Sequence, residues 1–195
     1  ILDACAGQGG KTGHIAQTMG NRGEVLALDR SAAKLTRLDG EMKRLGLGCV
    51  RSVCHDLDQP LSGVGPLPFD RVLLDAPCSG LGVVQRNPDI KWHRHETDLA
   101  PLALAQRRLL DRVAPLVRPG GVLVYSVCSF EPEETAMVVD DFLTRHPDFT
   151  ADLLPDPLRS RFPALFTSRG FLCTLPHRHD MDGFFAARMM KRPAP

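Results

Sequence analysis

Short apolar runs alternate with longer amphipathic stretches along this chain, which is the pattern of an α/β fold. Apolar runs at residues 1–4, 24–28, 50–54, 69–74 and 122–127 predict five strands. Between the strands, apolar residues recur at helical spacing, and glycines follow several of these stretches. Five successive strand–helix units predict a parallel sheet with helices on both faces.

The chain beyond this alternation adds an antiparallel end to the predicted sheet. Helices are expected to run to Met19, from Ser31 to Leu45, from 96 to 117 and from 132 to 145, and a loop is expected at 59–68. Residues 171–175 and 183–188 predict the two strands of a hairpin. A mostly parallel, seven-stranded sheet with a C-terminal antiparallel hairpin resembles the Rossmann-like fold of class I methyltransferases.

Composition restricts the class of protein without identifying it. The chain has 195 residues, of which 43% are hydrophobic and 24% charged, so one folded domain is expected rather than a disordered chain. It has no apolar run long enough for a membrane span, and its net charge of +1 gives no sign of a nucleic-acid partner. Its six cysteines lack the paired spacing of a zinc site, so we expect no metal and reduced, cytoplasmic thiols.

Residues with candidate chemistry follow each predicted strand. Ligands of open α/β sheets bind beyond the carboxyl ends of the strands. The first strand leads into a glycine-rich loop, and the others end at the following residues: Asp29, Asp56, Asp75 with Cys78, and Cys128. The sequence therefore predicts one site along this edge of the sheet.

The glycine-rich loop is compatible with S-adenosylmethionine. Its residues are Cys5, Ala6, Gly7, Gln8, Gly9, Gly10 and Lys11. A P-loop would need glycine in place of Cys5, and a dinucleotide fingerprint would need glycine in place of Thr12. A glycine turn lets the backbone approach a ligand, Lys11 can pair with a ligand carboxylate, and Asp29 can accept from two ribose hydroxyls.

The other strand-end acids fit the same ligand. Asp56 would reach the adenine amino group, and Asp75 would lie nearer the reacting centre. The alternatives are a plain tight turn for the glycines and ordinary helix-capping or solvated acids for Asp29 and Asp56.

Cys78 and Cys128 follow strands that are expected to be neighbours, so both thiols can face one pocket. The alternative for either residue is a small buried apolar side chain. A thiolate is intrinsically nucleophilic, and an unactivated carbon beside a methyl donor needs such a nucleophile. Addition of a thiolate to C6 of a pyrimidine makes C5 able to accept a methyl group.

These residues resemble the motifs of RNA cytosine-C5 methyltransferases of the Sun (RsmB-type) and Nop family. The resemblance covers essentially the whole chain and rests on the following segments: Asp3–Thr12, Asp75–Gly80, Arg86–Trp92, Ser126–Ser129 with Pro132–Glu134, and Asp182–Phe185. The family usually has Ala-Pro at Gly7-Gln8 and threonine at Val127, so cofactor affinity and base contacts are expected to differ there.

The resemblance implies a role for each candidate residue. Cys128 is implied as the nucleophile that forms the adduct with C6, and Cys78 as the residue that assists its breakdown. Asp75 is implied to contact the base near N3. The loop from Cys5 to Lys11, together with Asp29, Asp56 and Asp75, is implied to bind S-adenosylmethionine.

The resemblance also implies RNA, most simply ribosomal RNA, as the partner of a monomeric catalytic domain spanning residues 1–195. We expect the first strand to be truncated and a separate N-terminal RNA-binding domain to be absent from this chain. The target base must leave its stack. A local basic edge for phosphates is one interpretation, and a solvated surface the other, for six residues: Arg86, Lys91, Arg94, Arg107, Arg108 and Arg112.

For Trp92 two interpretations stay open, a platform that stacks a base and a core anchor, and the core anchor is favoured. Two other functions remain open: a non-catalytic RNA-binding or assembly protein, and a methyltransferase for DNA or a small molecule.

Overall fold

The strands of the described chain form one mixed sheet. The structure, a computed structural model, describes residues 1–60, 68–152 and 157–193, except the side chains of 157 and 158. The predicted loop at 59–68 therefore lies mostly outside the described residues. In chain order, the strands are β1 (Leu2–Asp3), β2 (Val25–Asp29), β3 (Val50–Cys54), β4 (Phe69–Asp75), β5 (Val117–Val127), β6 (Phe149–Ala151), β7 (Leu172–Thr174) and β8 (Phe184–Lys191).

The helices connect these strands in the predicted alternation. They are α1 (Gly10–Thr18), α2 (Ala32–Arg44), α3 (Ile90–His93), α4 (Leu99–Val113), α5 (Ala136–Arg145), α6 (Pro157–Arg161) and α7 (Pro176–His179). The side chain of Ser31 caps α2 by accepting from the Lys34 backbone N–H. Short 3-10 turns stand at Leu81–Val83, Glu96–Asp98, Ala114–Leu116, Pro132–Glu134 and Pro163–Leu165.

The sheet order is β3-β2-β1-β4-β5-β8-β6, and β7 pairs with β8. The pairs along β3-β2-β1-β4-β5 are parallel, whereas β8 is antiparallel to β5, β6 and β7. The predicted fold class is therefore confirmed. One strand more than the predicted seven is present, because Phe149–Ala151 pairs with the outer edge of β8. Three residues are too few to show the alternation that marks a strand.

The predicted helix at 96–117 is too long at both ends. It begins with a 3-10 turn, and α4 itself ends at Val113. Pro115 has no N–H to donate, so Ala114–Leu116 forms a 3-10 turn and β5 begins at Val117 rather than at 122. Gly120 has φ of 72° and allows the strand to pass through an irregular pairing with β4.

Helices cover the two faces of the sheet at different places. On one face, α4 and α5 pack against the central strands through Leu110 and Phe142, which join Leu123 in the larger core cluster. On the other face, α1 and α2 cover the β1–β3 side, where Leu38 and Met42 belong to a second cluster. These layers leave the carboxyl ends of the parallel strands accessible, which is where the candidate residues lie.

Candidate active site

The loops after β1 and β4 are each joined by a backbone hydrogen bond to a neighbouring strand, β2 and β5 respectively. The N–H of Ala6 donates to Leu28 O at 2.8 Å, and the N–H of Ala76 donates to Ser126 O at 2.9 Å. The loops that carry the candidate residues therefore lie side by side. The predicted common edge is thus formed by the parallel pairing of the sheet.

The glycine-rich loop is shaped by two residues in the left-handed region. Gly7 has φ of 57° and Gly9 has φ of 89°, which glycine adopts without strain. A Cβ on Gly9 would lie 2.7 Å from Leu38 Cγ in the core, so this turn presses directly against α2. The loop is therefore a tight turn in which the N–H groups of Ala6, Gly7 and Gly9 already donate to Leu28 O, Asp29 Oδ2 and Ala6 O.

Asp29 ties this loop to the end of β2. Its Oδ2 accepts from the Gly7 N–H at 2.9 Å, and its Oδ1 accepts from the Ser31 N–H at 2.8 Å. Each carboxylate oxygen keeps a second lone pair, so Asp29 can still accept from a ligand. The residue thus orders the loop in addition to the ribose-binding role predicted for it.

Lys11 and Asp75 form an ion pair at the centre of the edge. Lys11 Nζ lies 2.7 Å from Asp75 Oδ2, and Ser126 Oγ donates to Asp75 Oδ1 at 2.7 Å. Lys11 Nζ also lies 5.3 Å from the centroid of the Phe184 ring. The cation predicted to meet a ligand carboxylate is therefore held beside Asp75.

Asp3 is a site residue that the sequence interpretation passed over. It is buried, its Oδ2 accepts from Thr12 Oγ1 at 2.6 Å, and its Oδ1 has no hydrogen-bond partner within the described residues. Burial raises the pKa of Asp3 to about 6. Its position at the end of β1, equivalent to Asp29 in β2 and Asp75 in β4, was the available signal.

Cys5 and Asp56 lie at the predicted edge of the sheet, but neither shows a further property that indicates a role in the site. Burial raises the pKa of the Cys5 thiol to about 12, so this cysteine stays neutral. Asp56 is exposed at the end of β3, and its Oδ1 accepts from the Asp58 N–H at 3.0 Å. Its hydrogen bond is that of an ordinary turn acid, and it is not brought into contact with the other candidates.

The sulfur atoms of Cys78 and Cys128 lie 3.2 Å apart, although 50 residues separate them in the chain. Both side chains are partly buried. The hydrogen bond from the Cys78 thiol lowers the pKa of Cys128, whereas the same bond, together with burial, raises the pKa of Cys78. The pair thus consists of one sulfur that ionises more readily and one that remains a thiol.

A buried polar network holds the residue after Cys78 and was not predicted. The carboxylate of Glu134 accepts from the Ser79 N–H at 2.8 Å, from Ser79 Oγ at 2.5 Å and from Gln106 Nε2 at 2.9 Å. Gln106 Nε2 also donates to Pro77 O, and the Tyr125 hydroxyl donates to Glu134 O at 2.6 Å. Three donors on one buried carboxylate fix the Cys78 loop against α4 and β5.

Two glycines bring the loops of the two cysteines together. The Gly82 N–H donates to Cys128 O at 3.0 Å, and the Gly183 N–H donates to Gly82 O at 2.7 Å. A Cβ on Gly82 would lie 1.9 Å from Gly183 O, so the backbones meet in van der Waals contact. The sequence motifs include Gly183 but not Gly82, and they give no indication that the two glycines touch.

The predicted basic edge is partly neutralised by ion pairs. Arg108 pairs with Asp58 at 2.8 Å, and Arg107 lies 3.7 Å from Asp141. These contacts fit the interpretation of α4 as a solvated face. Arg86, which precedes α4, is also paired: its Nε lies 2.8 Å from a carboxylate oxygen of Asp182, beside β8.

The interpretation of Trp92 as a core anchor is wrong. Its side chain is 72% exposed on α3. A four-residue helix on the surface has no second layer to cover an indole, and it is too short to show a periodic pattern that marks which side faces out.

Neither a membrane-spanning helix nor a cluster of metal-binding side chains stands out in the described part of the chain. No helix there is long and apolar enough to cross a membrane. Groups of three or more His, Cys, Asp or Glu side chains that could hold a metal ion are absent from the same residues.

The chain is similar to known proteins over almost its full length. Residues 1–190 match the family described as 16S rRNA methyltransferase RsmB/F. The probable ribosomal RNA small subunit methyltransferase B of Synechocystis is 42% identical, over 98% of this chain and 43% of that protein. Its counterpart in Bacillus subtilis is 41% identical, with the same two coverages.

Solved structures agree with this similarity. The crystal structure of PH0851 is 35% identical with a TM-score of 0.88, over 97% of this chain and 42% of that one. The structure of NSun6 from Pyrococcus horikoshii with SFG is 31% identical with a TM-score of 0.84, over 100% and 48%. The chain spans less than half the length of these relatives, and it belongs to the 16S rRNA methyltransferase RsmB/F family.

Proposed function

We propose that this chain is the catalytic domain of an S-adenosylmethionine-dependent RNA cytosine-C5 methyltransferase that acts on ribosomal RNA. The observation that carries the proposal is the pair of thiols, 3.2 Å apart, at the ends of adjacent strands. Its relatives are named as ribosomal RNA methyltransferases, and one related structure was determined with SFG, an analogue of S-adenosylmethionine. Six free cysteines suit a reducing compartment, so we place the protein in the cytoplasm.

The residues around the glycine-rich loop fit S-adenosylmethionine. The backbone at Gly7 and Gly10 can approach a ligand without side-chain hindrance, because nothing lies within 4 Å of the position that a Cβ would take at either glycine. Asp29 is an acceptor for hydroxyl or ammonium donors, as is the buried Asp3 oxygen that has no partner among the residues the structure describes, and Asp56 is an exposed acceptor at the end of β3. When bound, this cofactor supplies an electrophilic methyl group.

The cysteine pair supplies the nucleophile that C5 methylation needs. The sulfur of Cys128, with its lowered pKa, forms a bond to C6 of the cytosine, and the electron pair moves towards C5. Asp75 would contact the base near N3. Once C5 carries the methyl group, a water molecule accepts the C5 proton, the C5–H electron pair forms the C5–C6 double bond, and the S–C6 pair returns to sulfur, which restores the aromatic ring and the Cys128 thiolate.

Cys78 is proposed to assist release of the product. Its raised pKa keeps it a thiol, and its sulfur lies next to that of Cys128. The S–H can therefore stabilise the Cys128 thiolate both before attack and when that sulfur leaves C6.

Two alanine variants test the assignment of the thiols. Cys128→Ala is expected to abolish transfer of a labelled methyl group to ribosomal RNA, whereas binding of S-adenosylmethionine survives. Cys78→Ala is expected to accumulate a covalent protein–RNA adduct that resists denaturation. Cys54→Ala, which removes an exposed thiol at the end of β3, is the control and should behave as the parent.

Different results would contradict different parts of the proposal. Normal turnover by Cys128→Ala would overturn the nucleophile, and intact methylation without adduct in Cys78→Ala would overturn the release role. Absence of methyl transfer by the parent, with RNA still bound, would favour the non-catalytic RNA-binding function. Transfer to DNA but not to RNA would exclude the proposed substrate.

A further inference from the structure

Trp92 is the sole tryptophan of the sequence, and it is 72% exposed although a tryptophan ring normally contributes to a core or an interface. It lies on the short helix α3, between the Cys78 loop and α4. The Trp92 ring is therefore not part of the core of this chain, and the groups around it indicate what it contacts.

The helix that carries Trp92 is attached to the Cys78 loop on both sides. At its start, Ile90 Cδ1 lies 3.1 Å from the position that a Cβ of Gly80 would occupy. Just beyond its end, Arg94 Nε donates to Ser79 O at 3.0 Å. Ser79 and Gly80 directly follow Cys78, so α3 is a wall of the thiol site.

A lysine lies against the exposed indole. Lys91 Nζ lies 5.0 Å from the centroid of the Trp92 ring. Residues 85–95 contain three cationic side chains, Arg86, Lys91 and Arg94, and one acid, Asp89. Arg86 is paired with Asp182 and Arg94 donates to Ser79 O, so Lys91 supplies the positive charge beside the aromatic ring at the edge of the site.

We infer that Trp92 and Lys91 form a docking platform for single-stranded RNA next to the target cytosine. A base that flanks the target stacks on the indole, and its phosphate pairs with the Lys91 ammonium. Enzymes that act on a base must take it out of its stack, which leaves neighbouring bases with open faces. An aromatic platform with an adjacent cation is the usual way to hold such nucleotides without reading their sequence. The inference rests on the proposed function, because that function makes RNA the occupant.

The single tryptophan makes the platform directly observable in the unmodified chain. A single-stranded RNA oligonucleotide containing one cytosine is titrated into the chain while tryptophan emission is followed. Stacking is expected to quench the emission and to protect Trp92 from acrylamide. A purely structural role of Trp92 would leave both signals unchanged.

Variants measure the contribution to affinity with an RNA labelled for fluorescence anisotropy. Trp92→Ala is expected to weaken binding about tenfold, whereas Trp92→Phe retains most of it. Leu104→Ala, which truncates another exposed apolar side chain on α4, is the matched control and leaves affinity unchanged. Lys91→Gln is expected to lower the slope of log affinity against log salt by about 0.7, while Lys43→Gln on α2 leaves the slope unchanged.

The outcomes separate this inference from the proposed function. Quenching together with weaker binding by Trp92→Ala supports the platform even if no methyl group is transferred. Methyl transfer to RNA without quenching, with Trp92→Ala binding as the parent does, would overturn the platform and leave the proposed function intact. The platform would also be overturned if Trp92→Ala left RNA binding unchanged and the ring were covered by a protein instead.

Discussion

The ionisation of individual side chains at this edge follows from what each one contacts. Cys128 accepts a hydrogen bond from Cys78, which favours its thiolate, whereas Cys5 has only buried surroundings and stays neutral. Asp3 has one hydrogen bond from Thr12 and a second oxygen without a partner in the described chain. Asp3 thus places a buried carboxyl group among the candidate site residues, and its ionisation has a cost in stability.

The stability cost of ionised, buried Asp3 can be measured with the variant Asp3→Asn. Burial raises the pKa of Asp3 from 3.8 to about 6, so ionised Asp3 opposes folding. The penalty is absent below pH 3.8, grows as the pH rises through 6, and is complete above it. Asp3→Asn should therefore be more stable than the parent at pH 7.5, by about 1–3 kcal/mol, with the difference vanishing near pH 4.

Denaturant unfolding at several pH values measures this difference. Asp70→Asn is the control with the opposite sign, because the hydrogen bond from Arg118 lowers the pKa of the exposed Asp70. A stability difference for Asp3→Asn that is independent of pH would contradict the burial effect.

At the scale of elements, the site depends on loops that are fixed to each other rather than to a ligand. The Cys78 loop is held by Glu134 from the turn before α5 and by Gln106 from α4. The residues after it are held against the Cys128 loop by Gly82 and Gly183. The 3.2 Å sulfur–sulfur distance is thus a property of three packed loops.

Gly82→Ala is expected to separate those loops. Its Cβ would lie 1.9 Å from Gly183 O and 2.9 Å from Cys128 O, and these are backbone atoms that cannot rotate away. We expect a loss of about 1–3 kcal/mol in unfolding free energy, and a larger relative loss of methyl transfer because Cys128 moves.

Gly40→Ala provides the matched control in calorimetry and in the methylation assay. A Cβ on Gly40 would meet nothing within 4 Å, and this residue lies inside α2. Alanine there should stabilise the protein by about 1 kcal/mol without changing activity. Equal effects of the two substitutions would rule out the steric explanation.

At the scale of the molecule, the sheet has one fully covered face and one partly open face near its antiparallel end. Along β8, Met189 is opposite Leu123 and fully buried in the larger core cluster, whereas its neighbour Met190 is opposite Val122 and 36% exposed. On the open side, a groove of about 550 Å³ is lined by residues of α1, β4, β5 and β8. Stability therefore depends mainly on the α4–α5 side.

Adjacent methionine substitutions are expected to reveal this asymmetry. Met189→Ala should destabilise the fold by about 2–5 kcal/mol, because it removes a fully buried side chain and leaves a cavity. Met190→Ala, with the same change in volume and strand propensity, should cost less than about 1 kcal/mol. Comparable losses in chemical denaturation would mean that both faces are equally packed.

Much of the fold and part of the site are readable from sequence because they repeat a local pattern. Alternation of apolar runs with amphipathic helices predicts the parallel order, and the strand-end positions predict Asp29, Asp75, Cys78 and Cys128 as neighbours. The thiols meet because β4 and β5 pair in parallel. The predicted end of α4 is wrong because a single proline sets it and carries little local signal. Strand β6 is missed because three residues are too few to show a strand pattern.

The amino-acid sequence by itself determined the order of the elements, the edge at which the candidate residues lie and the family, since periodicity and spacing depend on neighbours along the chain. Only the tertiary structure decided that Lys11 pairs with Asp75, that Glu134 holds Ser79, and that Trp92 faces solvent. These contacts join residues that are distant in sequence, and burial depends on which layers happen to cover a surface. Tertiary packing therefore determines these contacts and exposures, which the local sequence pattern does not.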